Sequence, residues 1–167
     1  MIHDLDIVLT FAQSEVKEIR AVGLPILSRK VDIANVRVEF QSGCVANFTA
    51  SRVSTERVRK LRFFQPGQYI SIDYGRQDVL VFSVNPSNQS APPMPAAPTA
   101  NPRIQMSKPP ITAEEPLLAE IQSFLHSVRT RSLPVVSLDD GRRALQLALA
   151  ILDEIARHAA RIGMANR

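Results

Sequence analysis

The stretch from Ala34 to Val53 (ANVRVEF, QSG, CVANFTASRV) constrains the fold most, because both of its halves alternate and a permissive glycine sits between them. Val36, Val38 and Phe40 fall on one side of an extended chain, with Arg37 and Glu39 on the other. Gly43 supplies the backbone freedom that a hairpin turn needs. In the second half Cys44, Ala46, Phe48 and Ala50 alternate with Val45, Asn47, Thr49 and Ser51, and this latter row suits either a sugar pocket or a partner sheet. After the connector STERVRK come LRFFQ, the turn PG, QYISIDYG and DVLVFSV. Consecutive strands joined by such short turns run antiparallel, since parallel neighbours need long crossovers. A sheet of this kind covers one face with core and leaves the other to solvent or a partner.

Upstream, VKEIRAVG reads as a further strand closed by a Gly-x-Pro turn, and RIQMS downstream as a last one. From Asp4 to Gln13 the apolar residues Leu5, Ile7, Val8, Leu9, Phe11 and Ala12 cover nearly the whole circumference of a helix, which predicts burial between other elements. Two helices finish the chain. Thr112 with Glu115 resembles a capping box ahead of Pro116, and Leu117, Leu118, Ile121, Phe124, Leu125 and Val128 form the stripe behind it. Ser137 with Asp140 repeats the capping logic, followed by the stripe Leu145, Ala148, Leu152, Ile155 and Ala159. Residues 85–102 contain six prolines and little to bury, the composition of a spacer. The sum is an α+β fold, a mainly antiparallel open β-sheet with helices packed on one face, in a single domain over residues 1–167 with a proline-rich insert at 85–102.

Composition narrows the function classes. A chain of 167 residues buries about two thirds of its unfolded surface, enough for one core. The net charge of +4 is evenly spread, with 11 Lys/Arg against 9 Asp/Glu up to residue 85 and 9 against 7 beyond it. That distribution argues against a dedicated nucleic-acid face. A lone cysteine, Cys44, makes neither an internal disulfide nor a cysteine-built zinc site and fits a reducing compartment. No run of about 18 apolar residues occurs, so the expected location is cytoplasmic, away from membranes.

Few residues suggest chemistry. None of the six glycines falls in a GxGxxG or GxxxxGK[ST] pattern, so no nucleotide cradle is expected in this chain. His126 and His158 read as solvated helix residues. His3 differs: Asp4 and Asp6 crowd it at the entrance to an apolar helix, where a carboxylate can hold an imidazole in one tautomer for proton transfer. The plainer reading makes Asp4 a helix cap and His3 a terminal surface residue. The segment Arg52 to Arg62 holds five basic residues and one Glu, which suits a phosphate contact or, more commonly, a solvated turn. Cys44 has no local base to activate it, and a buried structural thiol is expected there.

Beyond these local readings, IHDLDIVL, DIANVRVEFQSGCVANFTASRVS, RKLRFFQPGQYISIDY, EEPLLAEIQSFL and PVVSLDDGRRALQLALAIL together resemble the C-terminal domain of the Gfo/Idh/MocA oxidoreductases, over nearly the whole chain outside the proline-rich insert. The resemblance implies an enzyme in which an N-terminal Rossmann domain binds NAD or NADP. The C-terminal domain then supplies the substrate pocket and a sheet for homo-oligomerisation. It also implies hydride transfer at a carbon bearing a hydroxyl on a sugar or cyclitol. The family signature combines Glu-Lys-Pro in the first domain with Asp-x-x-x-His at the start of the second, and His3 matches that histidine. Its aspartate would fall two positions before Met1, so the expectation is a truncated oxidoreductase that lacks the Rossmann domain and binds no cofactor or metal of its own. A non-enzymatic, sheet-mediated assembly module is the alternative.

Overall fold

The computed structural model describes residues 1–56, 58–84 and 104–163, and the proline-rich insert lies outside them. The chain contains α1 (Ile2–Ala12), β1 (Val16–Leu24), β2 (Ile33–Phe40), β3 (Val45–Ser51), β4 (Lys60–Gln65), β5 (Gln68–Asp73), β6 (Asp78–Val84), β7 (Ile104–Ser107), α2 (Pro116–Thr130) and α3 (Leu138–Arg161). All pairings are antiparallel, and the strands form two open sheets, β1-β2-β3 and β4-β5-β6-β7, rather than one. The fold is α+β. Two compact units divide it, residues 1–55 with 121–167 and residues 56–120.

In the first unit the alternation of β2 sets the core. Ala34, Val36, Val38 and Phe40 are buried, while Asn35 and Arg37 are exposed on the opposite face. Register carries that division across the sheet, Ala21 lying opposite Val36 and Val36 opposite Phe48. Onto this face pack Leu5, Val8 and Leu9 of α1 and Ala144, Leu147, Ile151 and Ile155 of α3. Gly23 explains how closely α3 approaches β1: a methyl group there would stand 2.7 Å from Val31 Cγ1 and 2.8 Å from Ile155 Cγ2. The α1–β1 joint is tied to the β2–β3 turn, where Ser42 N–H donates to Ser14 Oγ and Gln41 N–H to the Glu15 carbonyl.

Three helical expectations change. The first helix is not buried all round: Leu5, Val8 and Leu9 form one buried face, and Phe11 is 65% exposed. In α2 the cap is Glu115 itself, whose carboxylate accepts from the N–H groups of Leu117 and Leu118, in place of a Thr112–Glu115 box. The apolar stripe of α2 is exposed, and Ser127 is its buried residue, donating to the Ser123 carbonyl. In α3 the capping box of Ser137 and Asp140 forms as expected, and the Ser137 hydroxyl and N–H hold the Asp140 carboxyl below its ordinary range. The buried stripe, however, is Ala144, Leu147, Ile151 and Ile155, leaving Leu145, Leu149 and Leu152 about half exposed. A helix this rich in leucine offers two apolar stripes at helical spacing, and the close contact with β1 at Gly23 selects the one that is buried.

In the second unit the four strands form a meander. Pro66 and Gly67 (φ 73°) make the tight turn between β4 and β5, proline fixing the first central position and glycine taking the left-handed second. Asp73 Oδ1 accepts from Gly75 and Arg76 N–H groups in the next turn. Phe64, Tyr69 and Phe82 stack across three strands with ring centroids 4.9 and 5.4 Å apart. Lys60–Asp73 and Lys108–Asp78 pair at 3.5 and 2.9 Å along the same meander.

Candidate functional site

His3 lies in the first turn of α1 and is exposed. Helix geometry places it beside Asp4, but the Asp4 carboxylate pairs with the terminal ammonium of Met1 at 3.3 Å rather than with the imidazole or the helix N–H groups. Asp6 is half-buried one turn on, with its carbonyl accepting from Thr10 Oγ1. Neither the tautomer-fixing carboxylate nor the capping carboxylate expected from the sequence is formed here. His126 is exposed on α2. Cys44, expected to be buried, is exposed, because it sits in the β2–β3 turn just before the inward-facing row of β3 begins. The basic run is dispersed: Arg52 Nε lies 3.5 Å from Asp32 Oδ1, Lys60 pairs with Asp73, and Arg57 falls outside the described residues. Among the described residues no group of three His, Cys, Asp or Glu side chains is placed to hold a metal ion.

Sequence reasoning missed a buried carboxylate. Asp32 is 3% exposed, and its Oδ2 accepts from three successive N–H groups, Ile26, Leu27 and Ser28, at 2.8, 2.7 and 2.9 Å. The Ser28 hydroxyl adds a fourth bond to Oδ1 at 2.9 Å. The N–H groups of Ser28 and Ile26 above all hold the Asp32 carboxyl far below the usual carboxylate range. This cradle gives the 25–31 loop its shape and presents Leu27, 82% exposed, at its tip. The signal in the sequence was an Asp closing a Ser-containing turn, the chemistry of side-chain-to-backbone turns.

An open hollow of about 780 Å³ lies on the first unit. Residues of both rows of the three-stranded sheet line it, among them Arg20, Ala21, Asn35, Arg37, Asn47 and Thr49, together with Glu154, His158 and Arg161 of α3. Cross-strand bonds order this lining: Arg37 Nη1 donates to Asn47 Oδ1 at 3.3 Å, and Thr49 Oγ1 donates to Asn35 Oδ1 at 3.0 Å. Glu154 receives Arg157 at 2.9 Å and Arg161 at 3.4 Å. Of the small and polar row of β3, Asn47 and Thr49 line the hollow together with His158, whereas Val45, Ser51 and His3 are not among its lining residues.

No family model matches the chain. Its sequence and fold nevertheless correspond to the C-terminal portion of the Gfo/Idh/MocA-type oxidoreductases. UDP-N-acetylglucosamine 3-dehydrogenase of Acidithiobacillus ferrooxidans is 30% identical over 152 residues, covering 90% of this chain and 45% of that protein. The solved structure of that dehydrogenase superposes with a TM-score of 0.81 at 28% identity, over 100% of this chain and 49% of the other. An aldose-aldose oxidoreductase from Caulobacter crescentus shares the fold, with a TM-score of 0.69 at 20% identity over 94% of this chain and 44% of that one. The chain thus spans about half the length of the sugar oxidoreductases it matches.

A dinucleotide needs backbone N–H groups at a glycine-rich strand-to-helix turn. Gly43 and Gly67 sit in turns between strands, Gly75 in the turn after β5, Gly23 inside β1, Gly141 inside α3 and Gly163 beyond it. The residues of this chain do not fit that group. No helix among the described residues is long and apolar enough to cross a membrane.

Proposed function

We propose that this chain is the substrate-binding and oligomerising portion of an NAD(P)-dependent oxidoreductase acting on a sugar or cyclitol hydroxyl, with His3 as the residue that moves the hydroxyl proton. The observation that carries this reading is the match to UDP-N-acetylglucosamine 3-dehydrogenase over 90% of the chain. An imidazole suits the role because its ring nitrogens can accept a proton and return it. The exposure of His3 leaves its ring accessible to a substrate. Hydride transfer to a nicotinamide needs a dinucleotide site, and the relatives run to about twice the length of this chain, so on this reading the chain alone binds no nicotinamide and turns nothing over. The reading includes a single domain over residues 1–167 with the insert at 85–102, a cytoplasmic location, and homo-oligomers formed through the open sheet face, without nucleic-acid partners.

The test is a chimera in which this chain replaces the matching half of the Acidithiobacillus enzyme. The chimera should reduce NAD or NADP in the presence of UDP-N-acetylglucosamine or a related sugar. His3→Ala should lower kcat by about 10²-fold or more with a much smaller change in KM. Nicotinamide-dependent turnover by the purified 167-residue chain, or a chimera indifferent to His3→Ala, would overturn the assignment. A second reading, a non-enzymatic assembly module, is favoured by the exposed sheet face on which Arg37 bonds Asn47 and Thr49 bonds Asn35 across strands.

A further inference from the structure

The aromatic ladder of the second sheet ends in an open ring. Phe64, Tyr69 and Phe82 lie opposite one another in register on β4, β5 and β6, and Met106 of β7 lies opposite Phe82. Neighbouring rings stand nearly parallel, 17° and 21° apart, so each shows its face to the next along the row. Tyr69 is thus flanked by a ring on both sides, and Met106 follows beyond Phe82. Phe64 differs because β4 is the terminal strand of its sheet. Among the described residues no ring lies against its outer face, and Phe64 is 77% exposed. A ring already held in place by its neighbour gives up little freedom when a ligand stacks on it.

The same face carries a cation beside that ring. Arg62 stands two positions back along β4, which places it on the side of the strand that Phe64 occupies, about 7 Å away. Arg62 is exposed and has no ion pair among the described residues, whereas Lys60, two positions further back, is held by Asp73 at 3.5 Å. Ser71 lies directly opposite Arg62 and adds a hydroxyl. A planar ring laid on Phe64 therefore has a guanidinium within reach of an anionic substituent. We propose that this sheet edge binds a mononucleotide, its base stacked on the outer face of Phe64 and its phosphate on Arg62 with Ser71 beside it. A single free ring face takes a single base, which separates this site from the multi-base platforms that hold single strands. A sugar phosphate would use Arg62 and leave the ring face bare, and a neutral sugar would leave the charge unused. No glycine-rich turn is needed, because the phosphate meets a side chain rather than a row of backbone N–H groups. The proposal goes beyond the oxidoreductase reading and does not depend on it.

The test titrates the full chain with AMP, adenosine and ribose 5-phosphate, followed by NMR. AMP should bind at least about 10-fold more tightly than ribose 5-phosphate, because only AMP brings a base to the ring. The base protons of AMP should move upfield on binding, a shift that a contact with charge alone does not produce. Phe64→Leu keeps the apolar bulk, removes the ring and should bring AMP down to the affinity of ribose 5-phosphate. Arg62→Gln should weaken AMP and ribose 5-phosphate by about 10-fold and leave adenosine unchanged. Both side chains are exposed, so both variants should fold. Should either fail to fold by circular dichroism, the three probes on the wild type still decide. Equal binding of AMP and ribose 5-phosphate, or base protons that do not shift, would overturn the stacked base. AMP binding no tighter than adenosine would overturn the phosphate contact, and AMP binding indifferent to Phe64→Leu would overturn the placement. Absence of AMP binding at about 10 mM would remove the site altogether.

Discussion

The two sheets of this chain are built from the same kind of antiparallel meander, yet they differ in what covers them. In the first, β2 alternates between buried and exposed residues because α1 and α3 close one face. In the second, every residue of β5 is half-buried, and Leu61, Phe63, Ile70, Ile72, Val79 and Val81 share one face while the Phe64–Tyr69–Phe82 stack stands on the other. Alternation in a sequence therefore specifies a strand, whereas the depth of burial is set by the helices that pack against it from elsewhere in the chain.

Truncating matched positions puts the largest strain on this comparison. Phe40 is fully buried, and Phe40→Ala should cost about 3–5 kcal/mol in chemical denaturation. Ile70 is half-buried, and Ile70→Ala should cost about 1 kcal/mol. Equal losses at the two sites would show that the second sheet is as firmly packed as the first.

A smaller effect belongs to the border of the helix-backed sheet. The Asp32 carboxylate is held below its unfolded value of about 3.9, so its contribution is fully present above that pH and is lost as pH falls below it towards the native value. Asp32→Asn should lower Tm by roughly 5–10 °C at neutral pH and flatten the loss of stability on acidification below about pH 4. An unchanged acid profile would remove the cradle as a source of stability. The smallest effect is expected on the uncovered stripe of α3, where Leu152 is 50% exposed, and Leu152→Ala should stay within about 0.5 kcal/mol. A loss of several kcal/mol there would mean that something covers this stripe in solution.

Sequence made much of this legible. The strand and helix segments, the antiparallel order and the Ser137 capping box follow from local rules, because alternation, turn glycines and caps act within a few residues. What escaped depends on distant partners. The buried stripe of α3 is selected by contact with Gly23 and Val31 on the β1 side of the unit, more than a hundred positions away. Asp32 looked like one more polar turn residue, since the three N–H groups that surround it are invisible in a string of letters. His3 could be singled out by its neighbours, yet its exposed setting and the diversion of Asp4 to the Met1 ammonium depend on three-dimensional placement.

The aromatic stack has a further consequence for watching this chain unfold. There is no tryptophan, and the chain's two tyrosines, Tyr69 and Tyr74, both fall in the unit of residues 56–120. Tyrosine emission therefore follows that sheet alone, with Tyr69 changing its surroundings when Phe64 and Phe82 separate from it. Helical dichroism is dominated by α3, α1 and residues 121–130 of α2, which belong to the other unit. Two optical signals of one chain thus follow two different halves, and the interval between their midpoints measures how tightly those halves are coupled.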